Sequence, residues 1–420
     1  MPTVRGLGVL LLAAAFYVNG RLFGTVELYL VAYALTLLVV VSWLWTGVAS
    51  RSLHLGVALD PETVVSGDRV EARLQVENRS WFPALGCRAR LDLSAAGGGV
   101  AECAAAVLLP GRAKRGTTRS GALWRGSYEL PCGEVAAGDP LGLAERRSPQ
   151  DGSTTLLVLP RLSRIEDFEL LAGRVLGIGL KPGTSVKGAG EFRGIRPHQP
   201  GEPLSRVHWK STAKTGVLML RETEEAPRAE NVVLVDGWAQ AVVGERPLDT
   251  FEKSIVAAGT LADTLLERGV PLDLVLHGKD ETPVTLESTP AGRHHLRELL
   301  AQASPTAPGP LGDVISRSLT RISRNTCLMV VSSTWDRSLQ LPLLRLAERR
   351  VPVLLVHVSP SSFRGEPPGV NERAFLLSLQ RSGVNVLFLR RDDDPGEALS
   401  ALGRAAIPTG GITTSLPVTG

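Results

Sequence analysis

Cysteine is scarce and unpatterned in this chain. Cys87, Cys103, Cys132 and Cys327 are the only four in 420 residues, and no two form a CxxC pair. That argues against a structural zinc site and against a disulfide-built fold. Three of the four fall in one predicted domain, where small unpaired core residues are the expected role. Aromatic residues make up 5% of the chain, too few around the basic cluster described below for a base-stacking platform. Catalytic signatures are missing as well. There is no GxSxG and no HExxH, and the glycine-rich stretch 177–190 lacks GxxxxGK[ST], which excludes a P-loop. A strong charge of either sign is also absent. The net +4 is small for this length and acids alternate with bases nearly everywhere, so charge alone indicates no nucleic-acid partner. What remains is globular composition, 44% hydrophobic and 21% charged, in a chain too long for one ordinary core. Two or three domains are expected.

The N-terminus carries the clearest physical signal. Leu28 to Ser50 is 23 residues without a charge. As a helix it would extend about 34 Å, enough for a hydrocarbon core of about 30 Å. Tyr29, Trp43 and Trp45 sit toward its ends, where amphipathic rings favour the interface. Gly6 to Gly20 is a second uncharged run of 15 residues, extended toward Val26 with only Arg21 inside. Taken alone, that run also fits a secretory signal, with Arg5 as its n-region and Ala13-Ala14-Ala15 near a cleavage site. A full-length second span follows almost at once, which favours a helical hairpin over residues 1–50. Its spans lie at about 6–26 and 28–50, with a turn at Asn19-Gly20. Arg5 and Arg51 outside and Arg21 in the loop give the positive-inside rule only a faint vote for a cytoplasmic body.

From 53 to 161 the hydrophobic period becomes two. Val70 to Glu77 alternates strictly, as does His54 to Leu59, and Ser66-Gly67-Asp68 reads as a hairpin turn between them. Further short strands are expected at Cys87–Leu93, Val107–Leu109, Ala122–Leu130 and Thr154–Leu159, with Ser94–Gly99 a flexible tip. Short strands at this spacing point to an immunoglobulin-like β-sandwich. Nothing in it looks catalytic.

Residues 162–230 read as a linker and signature segment, and 190–221 is its core. That stretch has neither helical pattern nor clean alternation. It sets Phe192 and Trp209 among Arg193, Arg196, Arg206, Lys210, Lys214, Arg221, His198 and His208, against Glu191 and Glu202. Segments so polar and rich in turn residues lie at the surface. Two roles for its basic residues stay open: internal pairing that locks the neighbouring domains, with Trp209 and Phe192 as packing anchors, or an outward face for a partner.

From 231 to 406 apolar strands alternate with amphipathic helices. Asn231–Asp236, Pro271–His277, Thr326–Ser333, Val351–Ser359 and Val384–Leu389 are the strands. Phe251, Ile255, Ala258, Ala262 and Leu265 step four, three, four, three along the first helix, which Gly269 stops. Continuously apolar strands imply a parallel sheet covered on both faces, a doubly wound α/β domain. Residues 407–420 read as a frayed tail. Ligands bind such sheets at the carboxyl ends of the strands. Asp236 occupies that place on the first strand, and Ser332, Ser333 and Asp336 occupy it on another. Oxygen ligands from adjacent strand ends suit Mg²⁺; alternatively Asp236 caps the next helix or fixes a turn. His294-His295 falls in a helix beside Arg293 and Arg297. Adjacent helical residues point to different faces, so the pair forms no joint metal site and reads as solvated surface.

The layout resembles the bacterial membrane-protein family known as domain of unknown function 58. The resemblance rests on Phe192-Arg193-Gly194-Ile195-Arg196, Pro200-Gly201-Glu202, Arg206-Val207-His208-Trp209-Lys210 and Ala213-Lys214-Thr215-Gly216. Gly138-Asp139-Pro140-Leu141-Gly142-Leu143 adds a further family-like piece. His198 stands where the family usually has tyrosine, and Glu202 where it has aspartate. The resemblance implies two transmembrane helices, a β-sandwich, the signature segment and a C-terminal von Willebrand factor A-like domain. A working metal-ion-dependent adhesion site in such a domain has Asp-x-Ser-x-Ser, whereas this chain reads Asp236-Gly237-Trp238-Ala239-Gln240. Trp238 cannot be a ligand, so no cofactor is expected, and Mg²⁺ at Asp236 would need a degenerate site.

The function that the resemblance implies is a membrane-anchored, non-enzymatic adaptor on the cell membrane. It would be multi-pass with a cytoplasmic body, the partner of a MoxR-type AAA+ ATPase in protein assembly or maturation. Its docking residues would be Phe192, Arg193, Arg196, Gly201, Glu202, Arg206, His208, Trp209, Lys210 and Lys214. Two alternatives stand beside it. One is a membrane-bound hydrolase or transferase using the Arg/His-rich segment, with Glu202 and His208 as an acid/base pair. The other is a Mg-dependent adhesion-type module. Phosphate or nucleic-acid binding by the Arg/Lys cluster is a further option.

Overall fold

The computed structural model describes residues 3–176, 191–197, 207–224, 231–279, 281–320 and 322–405, with the backbone alone for 170, 174, 191–197 and 220–224. These residues group into two compact units divided between Arg161 and Leu162, with Glu298–Gln302 counted with the first.

The first unit begins with α1 (Val4–Phe23) and α2 (Val26–Ser52). Both are long and apolar enough to cross a membrane. The Thr3 hydroxyl caps α1 by accepting from the Gly6 N–H at 3.2 Å. Gly6, Ala13 and Gly20 are the buried residues of α1, each seven apart. Small residues in that register let two helices approach closely. The expected turn at Asn19-Gly20 is displaced. Asn19 donates back to the Ala15 carbonyl at 2.8 Å inside the helix. The chain reverses instead at Gly24, whose φ of 65° is the left-handed cap that glycine adopts without a Cβ penalty.

Ten strands follow: β1 (Leu53–Asp60), β2 (Thr63–Val65), β3 (Glu71–Asn78), β4 (Ala84–Asp92), β5 (Val100–Leu108), β6 (Ala113–Arg119), β7 (Gly126–Pro131), β8 (Glu134–Gly138), β9 (Glu145–Pro149) and β10 (Ser153–Leu159). They form sheets ordered β1-β3-β6, β2-β10-β7 and β5-β4-β8-β9. The alternation of β3 buries Ala72, Leu74 and Val76 in a core shared with Leu91, Leu123, Val135 and Leu156. Cys87 and Cys103 are free thiols in that core, and burial pushes the Cys87 thiol up to about 11. Two expectations are corrected here. Ser66-Gly67-Asp68 does turn the chain, with the Asp68 N–H donating to Val65 O at 2.9 Å. It does not join β1 to β3, however, because β2 intervenes and pairs in parallel with β10. Ser94–Gly99 is not a free tip either. Ser94–Ala96 forms a 3₁₀ turn, Ala96 is fully buried, and its carbonyl accepts from the Trp124 N–H.

The second unit contains α3 (Phe168–Leu171), β11 (Glu191–Pro197), α4 (Trp209–Thr215), β12 (Met219–Glu224), β13 (Asn231–Val235), β14 (Gly244–Glu245), β15 (Leu248–Asp249), α5 (Thr250–Glu267), β16 (Leu272–Leu276), β17 (Val284–Leu286), α6 (Pro290–Gln302), α7 (Leu311–Ser318), β18 (Cys327–Ser332), α8 (Arg337–Glu348), β19 (Val353–Val358), α9 (Pro360–Phe363), α10 (Val370–Arg381), β20 (Asn385–Leu389) and α11 (Pro395–Arg404). The stretch 190–221, expected to lack regular structure, contributes β11, α4 and part of β12, and β11 pairs antiparallel with β12. The six-stranded sheet runs β17-β16-β13-β18-β19-β20. It is parallel except at one edge, where the three-residue β17 runs antiparallel to β16. That strand is too short to leave a periodic signal.

Helices cover both faces of this sheet. Leu234, Val330 and Leu355 pack with Leu343 of α8 and Phe375 of α10 on one face. The alternate residues Val233, Val331 and Val356 are equally buried, and α5 packs against β13, β18 and β19. The predicted stripe of α5 is realised, with Ile255, Ala258, Ala262 and Leu265 fully buried and Phe251 nearly so. Aspartates cap three helices. Asp249, Asp336 and Asp394 accept from the N–H of Glu252, Leu339 and Glu397 at 2.7, 3.1 and 3.0 Å, holding the starts of α5, α8 and α11. Leu261 of α5 is fully buried. Leu261→Ala is therefore expected to cost about 2–5 kcal/mol, read as a lowered urea midpoint with an unchanged slope for the full chain in detergent.

Candidate functional site

The strand order has a topological switch point between β13 and β18, the place where open α/β sheets bind ligands. Polar residues line the strand ends on both sides of it. Val235 pairs with Leu276 and with Val331, Ser332 pairs with His357, and His357 pairs with Phe388. One step beyond β13 and β16, the ladder continues through the His277 N–H to Val235 O and the Asp236 N–H to Val331 O, both 2.9 Å. His277, Asp236, Ser332, His357 and Phe388 thus stand in one row across the sheet. Two residues along a strand returns to the same face, so the row crowns the core that contains Leu234, Val330 and Leu355.

Asp236 is the centre of the row, its side chain 2% exposed. Oδ1 accepts from the Trp238 N–H at 3.0 Å and pairs with His277 Nδ1 at 3.2 Å, which requires the proton on Nδ1. Oδ2 accepts from the Ser332 hydroxyl at 2.6 Å and the Thr334 hydroxyl at 3.3 Å. Ser332 in turn accepts from the Thr334 N–H at 3.0 Å. Gly237 is required by close approach, since a Cβ there would meet the His277 carbonyl oxygen at 2.0 Å. Asp236 therefore does not cap α5, whose cap is Asp249. It cross-links three strand ends.

The second half of the row centres on Glu372 of α10. Its carboxylate accepts from His357 Nε2 at 2.9 Å, Ser359 Oγ at 2.9 Å and Ser361 Oγ at 2.7 Å. His357 and Glu372 are 0% and 1% exposed at their side chains. Burial pushes the Glu372 carboxyl up, but the donors from His357, Ser361 and Ser359 outweigh it and hold the group below its ordinary value of 4.5. His277, His357 and Glu372 were not singled out from sequence. For His277 the readable signal was a polar residue closing an apolar strand, whereas His357 lies inside β19 and Glu372 on α10.

Among the described residues no three His, Cys, Asp or Glu side chains are arranged to hold a metal. Asp236, Ser332 and Thr334 are the oxygen donors nearest to one. A cation there would have to displace protein donors that already meet both carboxylate oxygens. Trp238 is half-buried and Gln240 is exposed. Ser333 donates to Ala241 O at 3.2 Å, and Asp336 is engaged as the α8 cap. His294 and His295 are exposed on α6, while Arg293 and Arg297 reach Asp263 at 2.8 and 3.2 Å.

The signature residues are not brought to this row by any described contact. Gly201, Glu202 and Arg206 lie outside the described residues, and Phe192, Arg193 and Arg196 are placed on β11 by backbone alone. His208 caps α4, its Nδ1 meeting the Ser211 N–H at 3.3 Å and hydroxyl at 2.9 Å. Trp209 is 67% exposed, and Lys210 and Lys214 are exposed on the same short helix. The expected packing of Trp209 into a groove is not found.

Residues 194–362 match the family described as Protein of unknown function DUF58. Over that stretch the chain is similar to this family. The DUF58 match contains α4, Asp236, Ser332 and His357, and it ends before Glu372. The uncharacterized protein YeaD of Bacillus subtilis is 23% identical over 231 residues, 55% of this chain and 56% of YeaD; the chain thus spans just over half of that relative. Solved structures give only weak likenesses. The CARDB domain of the PF1109 protein from Pyrococcus furiosus aligns at 14% identity and a TM-score of 0.21, over 26% of this chain and 94% of that one. The Pseudomonas fluorescens alkylpurine DNA glycosylase AlkC aligns at 13% and 0.17, over 27% and 33%. Neither carries an inference here.

Removing the centre of the row leaves its donors buried and unpaired. Asp236→Ala is expected to lower stability by about 1–3 kcal/mol, and Asp236→Asn by less, measured by urea denaturation. A change under about 1 kcal/mol for the alanine variant would mean the row is not structural. The depressed Glu372 carboxyl stabilises the fold above its ordinary value, and that contribution is lost as pH falls through the lowered folded value. Below pH 4.5 the parent should therefore lose stability more steeply than Glu372→Gln. Parallel pH profiles would contradict this.

Proposed function

We propose that this DUF58 protein is a membrane-anchored, non-enzymatic interaction protein. Its α1–α2 hairpin crosses the membrane as a multi-pass anchor with the body in the cytoplasm. Its β-rich region is an immunoglobulin-like sandwich, a reading supported by three sheets around one core. Its α/β region is of von Willebrand factor A type, supported by the order β17-β16-β13-β18-β19-β20 with one antiparallel edge. The partner class is a MoxR-type AAA+ ATPase engaged in protein assembly or maturation.

The observation that carries the interaction reading is α4. It exposes 67% of Trp209 beside exposed Lys210 and Lys214, inside the family-matched stretch. An exposed indole with flanking cations is a common anchor for a protein partner. The buried row favours the same side of the choice. A nucleophile has to be reachable, and Ser332 is fully buried with its hydroxyl committed to Asp236.

The test is a binding measurement between the full chain in detergent and a purified MoxR-type AAA+ ATPase from the same bacterium. Trp209→Ala with Lys210→Glu should weaken binding at least about tenfold, the loss of a single hot spot, without moving the urea midpoint. Unchanged binding would remove α4 from the interface. Turnover of an ester, peptide or phosphate substrate by the parent would overturn the non-enzymatic reading.

A further inference from the structure

Apolar surface in the first unit continues beyond the two helices onto the β-rich region. Trp81, in the β3–β4 connection, is 88% exposed, and Leu141, in the β8–β9 connection, is 54% exposed. Single exposed apolar residues need no explanation, but these two are physically tied to α2. Trp81 meets Phe82 edge-on at 5.4 Å, and Phe82 meets Trp45 of α2 edge-on at 5.2 Å. Leu141 lines an apolar groove of about 300 Å³ with Leu38, Val41, Pro83 and Leu85.

Two routes place this surface at one level. The Thr3 hydroxyl donates to Gly142 O at 2.6 Å and the Thr3 N–H to Leu143 O at 2.9 Å, so the Leu141 loop is fixed to the start of α1. The 20 residues of α1 extend about 30 Å, so all of it is needed to cross a hydrocarbon core and its start stands at the interface. The 27 residues of α2 extend about 40 Å, an excess of about 10 Å or seven residues. Trp45, seven residues before Ser52, falls where α2 emerges. Charge agrees with this level. Arg5 and Arg51 mark the two helix ends, and an Arg146 guanidinium nitrogen lies 3.4 Å from where a Cβ of Gly47 would be. Acids nearby are engaged within the protein. Asp139 accepts from the N–H groups of Leu141 and Ala144, and Glu145 pairs with Arg147 at 3.4 Å.

We propose that the β-rich region is seated on the bilayer itself through Trp81 and Leu141, which enter the headgroup–acyl boundary beside the helices. An indole at that depth keeps its ring in the apolar zone and its N–H in the wet one. The lipid-facing surface then includes two loops as well as two helices, and these loops fix the region's height above the membrane. The proposal rests on the membrane-anchored reading above.

The test uses the full chain in phosphatidylcholine vesicles whose acyl chains are brominated near the carbonyl. Trp81 is one of seven tryptophans. Trp81→Tyr should remove part of the bromolipid-quenched emission and leave the acrylamide-quenched part unchanged. Trp209→Tyr should do the reverse. Leu141→Ser should reduce the quenching of Trp81. If Trp81→Tyr instead removes acrylamide-quenched emission, Trp81 faces water and the proposal fails while the anchor stands. If alkaline carbonate extracts the chain from the vesicles, the anchor reading fails and the proposal with it.

Discussion

A carboxylate buried to 2% exposure has to be satisfied or the fold loses several kcal/mol. The α/β unit meets that requirement at Asp236 with donors from its own backbone and side chains. The Trp238 N–H, His277, Ser332 and Thr334 come from three strand ends and the loops that follow them. Each of those strands is held in register by the same set of bonds. Glu372 repeats the device from α10 with His357, Ser359 and Ser361. The two halves together cap one face of the core with hydrogen-bonded polar groups in place of further apolar packing. Such networks are stabilising when every member is satisfied, and costly when one is lost.

This arrangement gives physical content to the departure at Asp236-Gly237-Trp238-Ala239-Gln240. An adhesion-type site offers oxygen lone pairs to a cation. Here the lone pairs of Asp236 are directed at protein donors, and the imidazole of His277 stands on one side of the carboxylate. Gly237 serves the same geometry by admitting the His277 carbonyl to a distance that no Cβ would allow. Trp209, Lys210 and Lys214 are exposed on the short helix α4 of the same unit.

The alternation of architecture was legible in the sequence because burial imposes it. Val70–Glu77 alternates since one face of β3 is in the core, and Phe251–Leu265 steps at helical spacing since one face of α5 is. Asp236 was legible as the polar end of an apolar strand. Ser332 was legible in the same way, whereas His277 was not, because it is 41 residues away and only strand register brings it to the carboxylate. β6 was missed because Ala113–Arg119 is exposed or half-buried throughout and has no alternation to read. The hairpin turn was misplaced by a few residues because Asn19-Gly20 has turn composition, while the left-handed geometry falls on Gly24. The structure within 190–221 was hidden by its polarity, since a two-stranded ladder and a seven-residue helix need little apolar patterning.

The central claim is that Asp236 is a structural cross-link whose two carboxylate oxygens are met by donors from three strand ends. The most direct measurement is the thermal midpoint of the full chain in detergent, titrated with Mg²⁺ and Mn²⁺ after exhaustive chelation. The account predicts no shift for the parent at millimolar metal, and the same absence of shift for His277→Ala. A rise in midpoint that saturates with metal and is abolished by Asp236→Ala would contradict it.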